Sequence, residues 1–128
     1  MKRYSRLLLI MTALVLALSL GVGPSLVAQD GLLVYMQMGG TQGDASTLAR
    51  TNGARAAAEH YGIELVEQYS GWDQVTMIEQ FQQAMAASPD GIAIMGHPGE
   101  AAFEDLVAEA IDMGIIVTSG NNPLPNLQ

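Results

Sequence analysis

Cysteine is absent from all 128 residues, so no disulfide can brace the folded chain and no thiol-linked lipid can anchor it. Cations are almost as scarce. Of five lysines and arginines, Lys2, Arg3 and Arg6 crowd the first six positions, and only Arg50 and Arg55 lie further on. Residues 29–128 therefore carry two basic against 13 acidic side chains, a net charge of −11. Such a surface repels nucleic-acid phosphates and anionic lipid heads. It also offers little to pair with an anionic substrate, which leaves neutral or cationic small molecules. Most of the acidity reads as solvated surface. The motifs of catalysis are missing too. There is no G-x-S-x-G elbow, because Val117-Thr118 precedes Ser119. No H-E-x-x-H is present, and His60 and His97 fall in different parts of the chain. Gly39, Gly40 and Gly43 do not match G-x-G-x-x-G, and no lysine follows to make a phosphate loop. A small exported hydrolase is disfavoured on these grounds, and no cofactor or metal is expected.

What is present begins with a leader pattern. Met1-Lys2-Arg3-Tyr4-Ser5-Arg6 is a basic head, Leu7 to Val22 is an uncharged apolar run, and Pro24 interrupts it. Leu26-Val27-Ala28 then offers a small residue for cleavage. Head, core and cut site in this order predict a signal peptide over 1–28, removed near Ala28. The run is slightly short for a membrane span. The mature protein is expected in the periplasm, with no stable membrane insertion after cleavage.

The following hundred residues suffice for one domain. They alternate between two periodicities. Leu32–Met36 is an apolar run of strand length, broken by Gly39, Gly40 and Gly43, and a helix pattern follows from Ala45 to Tyr61. Its inward face is predicted to use Leu48, Ala49, Gly53, Ala57 and Tyr61, with Gly62 as the stop. Ile63–Tyr69 is a second strand interrupted by charge. Asp73 is a plausible N-cap for a helix that aligns Met77, Ile78, Phe81 and Met85. Ser88-Pro89-Asp90-Gly91 ends that helix before a third strand, Ile92–Met95. A third helix starts near Pro98 and aligns Phe103, Leu106, Val107, Ala110 and Ile111. Gly114 closes it before the run Ile115–Thr118. This alternation predicts an α/β fold with right-handed crossovers and an open parallel sheet, helices on both faces. Strands 1, 3 and 4 read as covered on both faces. The charged second strand belongs at an edge, which gives the order 2-1-3-4. Ligands of such sheets bind in the crevice where the order reverses, here between strands 1 and 3.

Three stretches carry a family resemblance. Asn52-Gly53-Ala54-Arg55-Ala56-Ala57-Ala58-Glu59-His60-Tyr61-Gly62 resembles the first helix of type I periplasmic binding proteins. Ser88-Pro89-Asp90-Gly91-Ile92-Ala93-Ile94 is similar to their approach to the third strand, and Ala110-Ile111-Asp112-Met113-Gly114-Ile115-Ile116-Val117 to the fourth. These are the sugar-type solute receptors of ABC importers, related in fold to the ligand domains of lactose-repressor-like regulators. A leader stands here in place of the regulators' DNA-binding head. The resemblance implies two lobes that close on a ligand held between them. Residues 29–128 would then be a truncated N-terminal lobe, a receptor fragment or a remnant without function. It implies a small neutral solute, such as a sugar or polyol, and the ABC permease of the inner membrane as partner of a complete form. A bare apolar edge at Ile115-Ile116-Val117 would invite aggregation.

Candidate contacts sit in the loops after the strands. Thr41, Gln42 and Asp44 follow the first strand and are placed to bond sugar hydroxyls, although Asp44 equally suits a helix cap. Trp72, the sole tryptophan, follows the second strand beside Asp73, and its indole suits either a sugar ring or the cover of a helix end. His97 and Glu100 follow the third strand; capping by His97 and a dipole role for Glu100 are the plainer reading. After the fourth strand, many relatives carry an Asp-Arg pair. Asn121 and Asn122 stand there instead, with amides that both donate and accept. The methionines beyond the leader read as core filler.

Overall fold

The computed structural model describes residues 31–96 and 99–124. The signal-peptide reading and His97 lie outside these residues. The chain runs β1 (Leu33–Gly39), α1 (Ala45–Tyr61), β2 (Glu64–Tyr69), α2 (Gln74–Ala86), β3 (Gly91–Met95), α3 (Glu100–Asp112) and β4 (Ile116–Gly120). The four strands form one parallel sheet in the order β2-β1-β3-β4, as the charge in β2 and the alternation of units predict. Its register pairs Tyr35 with Val66 on one side and with Ile92 on the other. β1 extends three residues past the apolar run, because pairing with β2 continues through an irregularity to Gly39 opposite Tyr69.

Each helix begins and ends for a local reason. The Asp44 carboxylate accepts from the Thr47 amide and caps α1; Asp73 does the same for α2 through Thr76. At the other end of α1, Gly62 adopts a left-handed φ of 68° and donates to the Ala58 carbonyl. α3 starts at Glu100 behind Gly99, which makes no side-chain cap. The N-cap position is Gly99, and Glu100 lies in the first turn.

The main core lies between the sheet and the helix pair α2 and α3. Met77, Phe81, Ala84 and Met85 meet Phe103, Val107 and Ala110 over Ile92 and Ile94. The Phe81 and Phe103 rings stand edge-on, 5.2 Å apart, an arrangement favoured by the ring quadrupoles. Gln37 is buried on this face of β1 and donates to the Met77 carbonyl at 3.0 Å. Ile111, predicted inward, is largely exposed.

α1 covers the opposite face, over β1 and β2, where Ala54, Ala57 and Ala58 approach Val34, Met36 and Leu65. Its buried positions are Thr47 and Thr51, while Leu48 (48% exposed) and Tyr61 (72%) point away. The predicted inward face is therefore rotated by about one residue. The reason is polar: Thr47 bonds the Thr41 carbonyl at 2.6 Å, and Thr51 meets the Tyr69 hydroxyl at 3.0 Å. No helix among the described residues covers the β3–β4 half of this face. Leu32, Val34, Ala93, Ile116 and Thr118 line a groove of about 390 Å³ there. β4 is consequently not covered on both faces: Ile116 is 70% exposed, whereas Ile115 just before it is buried. Among the described residues, no helix is long and apolar enough to cross a membrane.

Candidate functional site

Parallel strands bring all their carboxyl ends to one edge, so the loops after β1, β2, β3 and β4 share a rim. The reversal of order falls between β1 and β3, and the crevice expected there is floored by glycine. Gly39 ends β1 with φ 84°, and Gly96 follows β3 with φ 93°. Side chains added at Gly39 or Gly96 would run into the same object, the indole of Trp72.

Trp72 reaches this position through a tight turn. Ser70-Gly71-Trp72-Asp73 closes with the Asp73 amide on the Ser70 carbonyl at 3.0 Å. Both central residues have positive φ, 59° and 63°, the sign pattern of a type I′ turn. A bulky residue in the left-handed region is strained. The strain is held by bonds to β1: the amides of Ser70 and Trp72 both donate to the Gly39 carbonyl, at 3.0 and 3.1 Å, as does the Ser70 hydroxyl. Gly71 in turn donates to Gly40 at 3.1 Å. The β2 loop is thereby folded across the end of β1, and Trp72 stays half-exposed above the glycines.

Thr41 and Gln42 are exposed on this rim. Asp44 is near, and its exposed oxygens bond its own loop and helix: they accept from the Thr41 amide at 3.1 Å, the Ser46 hydroxyl at 2.8 Å and the Thr47 amide at 3.2 Å. The Ser46 hydrogen bond, ahead of those from Thr41 and Thr47, holds its carboxyl below the usual carboxylate range. Asp73 is likewise bound to the Thr76 amide at 2.8 Å and hydroxyl at 2.7 Å, and the amide chiefly lowers its pKa. Both aspartates are helix caps that stay ionised. Asn121 and Asn122 are exposed beyond β4. Asn121 has a left-handed φ of 70°, which asparagine tolerates, and the Asn122 amide donates to Gly120. The Gly96 amide also donates to Gly120, at 3.1 Å, and so ties the β3 and β4 loops together. The structure thus brings Thr41, Asp44, Trp72 and Asp73 into one group around Gly39 and Gly40, with the asparagines further along the rim.

No protein-family model matches the chain, and no curated protein matches it. Solved structures do. An ABC transporter solute-binding protein from Agrobacterium vitis with bound allitol superimposes with a TM-score of 0.60 and 23% identity, over 70% of this chain and 30% of that one. A galactofuranose-binding protein gives 0.61 and 27%, over 69% of this chain and 29% of that one. The fold is that of a type I periplasmic binding protein lobe. The described lobe spans under a third of the length of these solute-binding proteins.

One residue of the lobe's rim escapes a reading confined to loops. Arg50 lies inside α1, and its guanidinium carbon sits 5.5 Å from the centre of the Trp72 ring, within the range of a cation–π contact. The one signal pointing to it was position: it is one of two cations in residues 29–128, next to the buried Thr51 and one turn from Thr47. The other cation, Arg55, is committed elsewhere. It pairs with Glu67 through Nε at 2.5 Å and Nη2 at 2.8 Å. That pairing lowers the Glu67 pKa and raises that of Arg55.

Proposed function

We propose that this chain is the ligand-facing lobe of an extracytoplasmic solute receptor for an ABC importer, and that it takes a sugar or neutral polyol at the carboxyl ends of β1 and β3. The observation that carries this reading is the Trp72 indole, held in a strained turn across Gly39 and Gly96 at the point where strand order reverses. An aromatic face beside exposed hydroxyl and amide groups is what a polyol requires. Its C–H surface packs on the ring, while Thr41, Gln42, Asn121 and Asn122 donate and accept around it. Binding of allitol and of galactofuranose by proteins of this fold supports that ligand class.

Asp44 and Asp73 serve this site indirectly. Their carboxylates cap their own helices, so their part is to fix the two loops. Export by a leader over 1–28, a periplasmic location and an inner-membrane permease as partner belong to the same proposal.

Trp72 is the sole tryptophan, so its fluorescence reports the site directly. Titration with allitol should change its emission saturably. Replacement of Asn121 by alanine should weaken that response, and an unchanged affinity would remove Asn121 from the site.

A further inference from the structure

We infer that Arg50 and Trp72 act as one recognition unit, in which the guanidinium stacked at the indole reads a pair of adjacent ligand oxygens. This rests on the polyol reading and names a group within it. Three observations converge on Arg50. Its guanidinium lies against the ring that caps the crevice floor. Its Nε is buried and has no hydrogen-bond partner among the described residues. And the ion pair found among the described residues uses Arg55 with Glu67, so among those residues the Arg50 charge has no paired carboxylate.

The carboxylates of the two helix caps are engaged by their own helices. Asp44 and Asp73 each commit Oδ1 to the first turn of α1 and of α2. The Arg50 guanidinium is thus a planar donor fork beside an aromatic face, with a buried Nε that finds no partner among the described residues. Guanidinium donors lie in one plane with a spacing that matches two neighbouring oxygens. Vicinal hydroxyls of a polyol offer such a pair. Lysine would keep the charge but not the fork.

Two measurements on the purified chain test this. Iodide quenching of Trp72, normalised to the neutral quencher acrylamide, reads the free cation without any ligand. Arg50→Met should reduce iodide quenching, and Arg50→Lys should largely keep it. Equal quenching in wild type and Arg50→Met would overturn the inference. Allitol titration then reads the fork. Both variants should bind about ten- to a hundredfold more weakly than wild type, as loss of hydrogen bonds from a charged donor predicts. Wild-type affinity in Arg50→Lys would reduce Arg50 to a charge and overturn its role as a fork. Wild-type affinity in Arg50→Met would overturn the inference while the polyol reading stands. A wild-type chain blind to allitol would overturn the polyol reading itself, and the ligand assigned to Arg50 with it. A thermal melt of Arg50→Met near that of wild type separates these losses from unfolding.

Discussion

At the scale of single residues, backbone sign and open space decide what can change. Gly39 and Gly43 share a φ of 84°, but an added Cβ at Gly39 meets the Trp72 ring, whereas Gly43 faces open space. Gly43→Ala should cost only the left-handed backbone penalty, about 1–2 kcal/mol. Gly39→Ala should add an overpacking cost of about 1–3 kcal/mol, so urea unfolding should rank it clearly below Gly43→Ala in stability. Equal losses would mean that the indole does not rest on Gly39. The capping aspartates make a pH prediction. Asp44 and Asp73 have lowered native pKa values, so they bind protons more weakly folded than unfolded. Their stabilisation is complete above the usual carboxylate value of about 4 and is lost as pH falls through the lower native values. Asn caps a helix nearly as well as Asp but does not titrate. Asp73→Asn should therefore leave the melting temperature at pH 7 close to wild type and flatten its fall in acid. An undiminished acid slope would show that the cap is not titrating.

At the scale of elements, the helix pair α2 and α3 holds the lobe together, and it was also the part most legible in the sequence. Met77, Phe81 and Met85 on α2, with Phe103, Val107 and Ala110 on α3, kept a helical apolar period and are buried as that period requires. Truncating Phe81 to alanine removes half of an aromatic pair and should cost about 3–5 kcal/mol by chemical denaturation. α1 was less legible, because its contacts are not apolar. Thr47 and Thr51 turn inward to bond Thr41 and Tyr69, and no hydrophobic pattern announces a threonine that is buried for its hydroxyl. β4 misled in another way. Its apolar residues suggested cover on both faces, yet Ile116 lies on the uncovered groove. Ile116→Thr should lower aggregation at high concentration while changing stability by no more than about 0.5 kcal/mol, as light scattering and melting together would show. The sheet order was legible from one strand alone, since charge within Glu64–Tyr69 suits only an edge. The turn that carries Trp72 was not, since tryptophan in a left-handed position runs against local preference and is held only by its bonds to β1.

At the scale of the whole molecule, an acidic, cysteine-free chain forms a parallel-sheet lobe whose proposed ligand is uncharged. The net charge of residues 29–128 discourages anions at a distance, while the Arg50 guanidinium lies against the Trp72 ring. The lobe matches solute-binding proteins whose own chains are more than three times longer than the matched segment, so the affinity of this surface and its position are separate questions. Position is the central claim, and nitrogen–proton correlation spectra of the labelled chain titrated with allitol test it most directly. The account predicts shifts confined to Gly39–Gly43, the Trp72 indole, Gly96 and Asn121–Asn122. Shifts centred on Ile116 and Leu32, or none at concentrations that saturate weak sugar sites, would contradict it.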